Sequence, residues 1–200
     1  MKKLNFAGLS LILFVLIAQS AYGAAREWEL DRAHSNIYFS VDHIYSKIQG
    51  HFNELTAKIN FDTTNMQESR FFFEVKVDSI DTNIGKRDKH LLSADFFDAG
   101  KYPLITFESK TITDRGNGVY ELAGKLNVKG KVYDLTLPLT LAGIKDHPAV
   151  QGKQVAGFNG KITVDRLTLN IGDEKFYKMG IVGKDVEILV TLEALRFKGN

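Results

Sequence analysis

The five histidines are the first residues in this chain that could do chemistry, either as metal ligands or as proton carriers. His34, His43 and His51 follow one another at intervals of nine and eight residues. Compact zinc motifs such as H-E-x-x-H place two histidines on one helix face, and these intervals do not match that spacing. Histidines on separate strands can still meet in a folded barrel. We expect structural histidines, with no resident metal and no cofactor.

The side chains of a nucleophilic enzyme form no recognisable motif in this chain. It has no cysteine and no G-x-S-x-G sequence, which removes a thiolate and a serine at a nucleophile elbow. It has no glycine-rich phosphate loop either. Most acidic residues fall on the polar positions of alternating segments, where solvated charge is the ordinary case. The sequence predicts a protein that is not an enzyme.

One basic cluster could bind an anionic group. It reads Lys86-Arg87-Asp88-Lys89-His90, and arginine and lysine give charge-assisted hydrogen bonds to phosphate. We take Arg87 and His90 as candidate contacts for the polar head of a ligand. The alternative is an ordinary solvated helix start, in which Arg87 pairs with a neighbouring carboxylate.

The elements that must position these side chains are strands, because apolar residues recur with a period of two after residue 28. The alternating segments are residues 36–43, 71–78, 119–128, 132–141 and 185–193. Asn117-Gly118 and Lys129-Gly130 predict tight hairpin turns, because both positions of such turns need positive φ. Antiparallel strands with one apolar face must fold over that face, as a barrel or a sandwich.

Segment 81–102 breaks the alternation. Ile84, Leu91 and Leu92 are compatible with one face of a short helix, and Ser93 can cap a second turn that carries two phenylalanines. Glycine and proline follow and end the helix. The segment predicts a helical crossover that lies across one end of the sheet structure.

The N-terminal segment has the three parts of a secretory signal peptide. Two lysines precede the apolar run 4–18, and small residues follow it. The run is shorter than the roughly 20 residues of a membrane-spanning helix, which disfavours a retained anchor. We expect a signal peptide at 1–23, cleavage between Gly23 and Ala24, and a periplasmic or secreted domain at 24–200. Losing both lysines lowers the formal charge from +2 to zero, so no nucleic-acid partner is expected.

Alternation alone leaves the interior undecided. The fourteen phenylalanines and the leucines of segment 132–141 can fill the core of a small sandwich. They can equally line a barrel that encloses a small ligand. A packed interior and a hollow one both remain open on this pattern.

Short motifs in a fixed order cover essentially the whole expected mature chain. They are Trp28-Glu29-Leu30-Asp31 with His34-Ser35, Phe39-Ser40-Val41-Asp42-His43, Gly50-His51-Phe52, Ser79-Ile80-Asp81-Thr82, Arg87-Asp88-Lys89-His90-Leu91, Asp95-Phe96-Phe97-Asp98, Tyr102-Pro103, Phe107-Glu108-Ser109 and Gly124-Lys125-Leu126-Asn127-Val128-Lys129-Gly130. Each is weak alone, but their ordered combination is specific. In these motifs the chain resembles the YceI-like family of exported, lipocalin-like polyisoprenoid-binding proteins.

The resemblance implies an all-β fold, an extended antiparallel lipocalin-like β-barrel with a short helical crossover at one end. It implies a long internal apolar tunnel, and so favours the hollow interior. The implied ligand is a polyisoprenoid or a similar long-chain lipid, such as an isoprenoid quinone. A homodimer and a transient membrane contact are among the expected partners.

One stretch departs from the family pattern, which has arginine, two residues, then phenylalanine-glycine. Here it reads Arg166-Leu167-Thr168-Leu169-Asn170. Asn170 tolerates left-handed backbone better than most residues, so we expect the turn to survive. Leu169 lacks the aromatic ring, which leaves the exact ligand open.

We expect the lipid tail to contact alternating apolar residues of the strands, with affinity coming from the tail rather than from charged groups. The expected tunnel lining is Phe39, Val41, Phe73, Val75, Phe107, Leu122, Leu126, Leu135, Leu137, Leu139, Ile188 and Val190. A register error of one residue would invert a strand's contribution. Two alternatives remain: a fatty acid or fatty amide in the same tunnel, and a ligand-free stress-protective or interaction barrel.

Overall fold

The computed structural model describes residues 25–199, and the predicted signal peptide with its cleavage site lies outside them. The strands are β1 (Glu27–Leu30), β2 (Asn36–His43), β3 (Ser46–Phe52), β4 (Leu55–Asn60), β5 (Arg70–Lys76), β6 (Ile80–Asp81), β7 (Leu104–Gly116), β8 (Val119–Val128), β9 (Lys131–Asp146), β10 (Lys153–Asp165) and β11 (Val182–Phe197). The helices are α1 (Gly85–Leu92) and α2 (Lys175–Lys178). In the described range no helix has the length and apolar character needed to cross a membrane.

Eight strands close into an antiparallel barrel, which confirms the predicted fold class. The order around the barrel is β1-β4-β5-β7-β8-β9-β10-β11, and β1 closes the ring by pairing Glu29 with Leu195 of β11. β11 is long enough to pair with two strands along the same edge, β1 and β2. Its first half pairs with β2, where Ile188 lies opposite Phe39, and β3 and β6 continue the sheet from β2. The barrel is therefore wider at the end where β2 and β3 are added.

The predicted alternating segments are strands in the structure. Four of them fall within β2, β8, β9 and β11. The fifth, residues 71–78, ends at Lys76 because Val77–Ser79 form a 3-10 turn. In each strand the apolar face points into the barrel, as in β5, where Phe71, Phe73 and Val75 are buried.

The two predicted hairpin turns are confirmed by their backbone angles. Asn117 and Gly118 link β7 to β8 with φ of 53° and 77°. Lys129 and Gly130 link β8 to β9 with φ of 49° and 69°. Positive φ at both central residues matches the right-handed twist of the flanking strands.

The helical crossover between β6 and β7 is shorter than predicted. Ile84 precedes α1 and is 51% exposed, so it does not share a buried face with Leu91 and Leu92. The prediction of a second helical turn after Ser93 was wrong, because residues 94–97 form turns and not a helix. Ser93 still caps locally, because its Oγ accepts a hydrogen bond from the Asp95 N–H.

An aromatic cluster fills one end of the barrel. The ring of Phe61 lies 5.1 Å from those of Tyr120 and Phe158, edge to face in both cases, and Phe71 joins them. The Trp28 Nε1–H donates to the Phe61 carbonyl at 2.9 Å, which ties β1 to the loop that carries Phe61. We call these five residues the aromatic plug. Such pairs add to the burial of large apolar area and close this end of the barrel.

Candidate ligand-binding cavity

The wider end of the barrel encloses a cavity of about 390 Å³, which is within the usual range of ligand pockets. Strands supply its walls, and α1 and the connection between β10 and β11 supply its outer part. All but four of the lining residues are apolar. The four are His43, Arg87, His90 and Arg166, and they belong to or flank the connections at this end, which we call the mouth.

Strand register explains why apolar side chains from distant parts of the sequence meet here. Phe73 of β5 pairs with Phe107 of β7, and Phe107 pairs with Leu126 of β8. Residues paired across neighbouring strands point to the same face of a sheet. The rings of Phe73 and Phe107 are stacked, with centroids 6.2 Å apart and planes 18° apart. They form a flat aromatic wall on one side of the cavity.

Ten of the twelve residues predicted to line a tunnel do line this cavity. They are Phe39, Val41, Phe73, Val75, Phe107, Leu126, Leu135, Leu137, Ile188 and Val190. Their contact with a lipid tail stays a prediction.

The prediction was wrong for Leu122 and Leu139, which do not line the cavity. Their side chains are 0% and 1% exposed and belong to the packed core. Both point inward, but deeper in the barrel: Leu139 pairs with Tyr120 of the aromatic plug. Leu139 also packs onto Gly160, where an added Cβ would lie 2.6 Å from its Cδ2. The plug and these leucines fill that half of the barrel, so the cavity does not run its whole length.

Sequence reasoning missed most of the outer lining. The missed apolar residues are Ile37, Ile48, Phe52, Leu91, Phe96, Phe97, Ile105, Val128, Ile162, Val164, Ile171, Phe176, Ile181, Val182 and Val186. Ile37 and Val186 lie on the same faces as residues that were predicted, so alternation could have found them. Phe176 and Ile181 lie in a connection without a period, and no sequence signal marks them.

Arg87 is held at the mouth by Thr82. Its Nε–H donates to Thr82 Oγ1 at 2.7 Å, and its Nη2–H donates to the Thr82 carbonyl at 2.6 Å. The adjacent Asp88 binds the same residue: its Oδ1 accepts from both the N–H and the hydroxyl of Thr82, so this hydroxyl bridges Arg87 and Asp88. Within the described residues Arg87 forms no ion pair. The neighbouring carboxylate is therefore linked to Arg87 through the Thr82 hydroxyl rather than by a direct ion pair, and the contact of Arg87 with a ligand's head stays a prediction.

His90 lies one turn after Arg87 on α1 and also lines the cavity. Its Nε2 is 3.2 Å from Asp95 Oδ2. Its ring meets Phe96 edge to face at 5.0 Å and Phe176 at 6.3 Å. The contact with Phe176 joins α1 to the connection between β10 and β11, and we call Phe96 and Phe176 the aromatic border of the mouth.

Arg166 is the buried cation of the mouth, with only 4% of its surface exposed. Its Nε–H donates to the Gly183 carbonyl at 2.7 Å, and its Nη1–H donates to the Ile171 carbonyl at 3.0 Å. These bonds hold the two ends of the β10–β11 connection together. Burial lowers the pKa of the Arg166 guanidinium, and the charges of Asp165 and Asp173 oppose that shift.

The remaining histidines are spread over the molecule. His43 lines the cavity at the end of β2, and His51 Nε2 lies 3.0 Å from Asn53 Oδ1. His34 lies beside Asp31 and Glu193, with one ligand-type atom of each within 4.8 Å of the others. His34 Nδ1 is 2.9 Å from Asp31 Oδ2, and this hydrogen bond raises the pKa of the histidine and lowers that of the carboxyl. The expectation of no resident metal stays a prediction.

Residues 28–194 match the model of the YceI-like domain. The chain belongs to the YceI-like family. A UPF0312 protein of Vibrio cholerae is 35% identical over 162 residues, covering 80% of this chain and 82% of the relative. A UPF0312 protein of Pectobacterium atrosepticum is 31% identical over 193 residues, covering 95% of this chain and 97% of the relative.

Solved structures agree with the YceI-like barrel. BcnA of Burkholderia cenocepacia superposes with a TM-score of 0.72 at 26% identity, over 84% of this chain and 99% of BcnA. A YceI protein of Campylobacter jejuni gives a TM-score of 0.68 at 27% identity, over 86% and 99%. A polyisoprenoid binding domain from Saccharophagus degradans gives 0.58 at 14% identity, over 84% and 97%, which shows the shared fold.

The departure from the YceI-like phenylalanine-glycine pattern leaves the turn intact. Asn170 has φ of 60°, as expected for a residue that replaces glycine in left-handed backbone. Leu169, where the resemblance led us to expect an aromatic ring, lines the cavity. A leucine there is smaller and flexible, so this part of the wall is shaped by an aliphatic side chain.

Proposed function

We propose that this YceI-like barrel binds a long-chain apolar lipid of the polyisoprenoid or isoprenoid-quinone type and carries it outside the cytoplasm, in the periplasm or a secreted form. The observation that carries the proposal is the cavity of about 390 Å³ with a wall that is apolar except at its mouth. A core without ligand has few voids larger than a water molecule. Binding and carriage need no chemical step, so we do not assign an enzymatic activity.

The size of the cavity supports tail binding of useful strength. Burial of one CH₂ group is worth about 0.8 kcal/mol, so ten groups contribute roughly 8 kcal/mol before ordering costs are subtracted. That is the free energy of micromolar binding. A tail that fills the cavity therefore supplies the affinity, and a longer tail extends past the mouth.

We assign one set of cavity residues to the lipid's tail and another set to its head. The ten strand residues named above and the aromatic border of the mouth contact the tail. Arg87 and His90 orient the head, because both line the cavity where it meets α1. Arg166 acts on the head only indirectly, by holding the connection that carries Phe176 and Ile181.

An exposed apolar surface beside the mouth supports a transient membrane contact during loading. Ile44 and Met179 are 58% and 60% exposed, and Tyr45 is fully exposed. The Ile44 N–H donates to the carbonyl of Ile181, which lines the cavity. Ile44 has φ of 50°, a costly backbone conformation for a β-branched residue. We call Ile44, Tyr45 and Met179 the apolar lip.

Displacement of a fluorescent long-chain probe from delipidated protein tests the proposal. We expect a polyisoprenol and an isoprenoid quinone to displace the probe at micromolar concentration. Stronger displacement by a fatty acid than by an isoprenoid acid of equal length, or by a fatty amide than by the polyisoprenol, would favour that alternative ligand class. Failure of every competitor, together with failure of the probe to bind, would favour a ligand-free barrel and overturn the proposal.

A further inference from the structure

The charges on the cavity wall are unbalanced. The lining contains two arginines, Arg87 and Arg166, and no aspartate or glutamate. The rest of the wall is apolar apart from His43 and His90. A cation beside an apolar space of low dielectric favours an anion that replaces the lost hydration. The acidic groups near these arginines, Asp88 beside Arg87 and Asp165 and Asp173 beside Arg166, are not part of the wall, so a neutral lipid would leave no anion inside the occupied cavity.

Arg87 has donors available for such an anion. Thr82 occupies its Nε–H and one Nη2–H, and no described residue accepts from Nη1. The nearest acidic residue along α1, Asp88, is bound to the N–H and hydroxyl of Thr82. Thr82 is 2% exposed, so it fixes the guanidinium from a buried position. A fixed guanidinium loses little entropy when it binds a carboxylate or phosphate.

Arg166 contributes charge but not contacts. Its N–H groups donate to the carbonyls of Ile171, Asp173, Val182 and Gly183. These bonds build the mouth and leave Arg87 as the side chain that meets the ligand's head.

We propose that the ligand of this cavity is an anionic amphiphile whose carboxylate or phosphate pairs with Arg87. A 150 Å³ apolar cavity takes one benzene, so by proportion this cavity takes a tail of about 15 carbons. The proposal rests on the lipid-binding function above and specifies the head group and the enclosed length. A shorter acidic isoprenoid fits this description, as does a longer one whose remaining tail leaves the mouth.

Three probes with one tail separate the head groups: farnesoic acid, farnesyl phosphate and farnesol. Their affinities for delipidated protein are measured by calorimetry at neutral pH. We expect one or both acids to bind at least tenfold more tightly than farnesol, because a hydrogen bond to a charged group is worth about 1.5–3 kcal/mol. The stronger acid identifies carboxylate or phosphate as the preferred head. Equal binding of all three would overturn the inference and leave the proposed function standing.

Arg87→Gln and Lys89→Gln form a matched pair, because both remove one positive charge from α1 and Lys89 is not part of the cavity wall. We expect Arg87→Gln to weaken binding of the preferred acid about tenfold and to weaken farnesol binding much less, because farnesol carries no charge. Lys89→Gln leaves both unchanged. Equal losses for the acid in both variants would overturn the role of Arg87.

Arg87→Lys distinguishes the loss of a positive charge from a folding defect as the cause of weaker binding in Arg87→Gln. It keeps the charge, and we expect it to restore part of the affinity for the acid. Retained farnesol binding shows that the cavity is intact in either variant. Loss of all binding by the unmodified protein, to all three probes, would instead contradict the proposed function itself.

Discussion

Leu122 of β8 pairs with Leu137 of β9, and the boundary between the packed core and the cavity passes between them. Leu122 is fully buried and does not reach the cavity, whereas Leu137 lines it. Both point to the inside of the same barrel. The inner face of the barrel therefore forms a packed core near the aromatic plug and lines the ligand cavity near the mouth.

Leu122→Ala is expected to lower the free energy of unfolding by about 3 kcal/mol, because it opens a new void in a filled region. Leu135→Ala is expected to cost about half as much, because it only enlarges a space that already exists. Urea unfolding of the two variants measures the difference. Equal losses would mean that the cavity wall is packed as tightly as the core.

Filling the cavity should block ligand binding without unfolding the barrel. Leu135→Trp directs a larger ring into the cavity, and we expect it to weaken lipid binding at least tenfold, since roughly 1.4 kcal/mol of lost tail burial suffices. Val132→Trp is the control, because Val132 lies on the same strand with a side chain that is 63% exposed. Normal binding by Leu135→Trp would place the tail elsewhere.

Alternation predicted the strands whose inner face is apolar with at most one small residue, and it failed where small residues occupy more of that face. In β9 large side chains recur at every second position, and in β8 only Gly124 interrupts them. β10 was missed because Ala156 and Gly160 occupy inward positions. Gly160 is required there, since an added Cβ would lie 2.5 Å from the Pro138 carbonyl oxygen. Glycine is needed because Pro138 of the neighbouring strand lies so close, and the sequence alone does not show that contact.

Alternation also does not predict how deep in the barrel an inward-facing side chain lies. Alternation says that Leu122, Leu137 and Leu139 share an inner face, but not which of them meets the aromatic plug. That depends on Phe61, which reaches the barrel from the loop after β4. The family resemblance supplied the hollow interior, and the tertiary contacts of Phe61 determine where the hollow ends.

Acid should weaken the plug end through Asp62, which follows Phe61. Hydrogen bonds from Thr64 hold the pKa of this carboxyl below its usual range, and Arg26 adds to the effect. A lowered folded pKa means that the contribution is complete above about pH 4 and is lost as pH falls through the folded value.

Asp62→Asn is therefore expected to cost about 1 kcal/mol at neutral pH, and the difference from the unmodified protein should vanish in strong acid. Thermal unfolding at a series of pH values measures this. Asp134→Asn is the control, because Asp134 is 86% exposed in its pair with Lys125 and such pairs contribute little. A pH-independent difference would show that the Asp62 charge is not the cause.

The apolar lip should govern loading from membranes. Tyr45→Asp places a charge at the fully exposed tip of the β2–β3 hairpin. We expect it to reduce association with phospholipid vesicles about tenfold, because burial of one large apolar side chain is worth about 1.5–3 kcal/mol. Val150→Asp changes an exposed residue in the β9–β10 connection, at the plug end, and should have no effect. Equal effects of the two changes would argue against a localised lip.

Native mass spectrometry of protein purified from its own host, without added detergent or lipid, tests lipid carriage most directly. We expect a complex of one chain with one lipid, which organic solvent extracts and whose mass fits a long-chain amphiphile. The bare polypeptide as the only species, in a protein that also takes up no lipid after extraction, would contradict it.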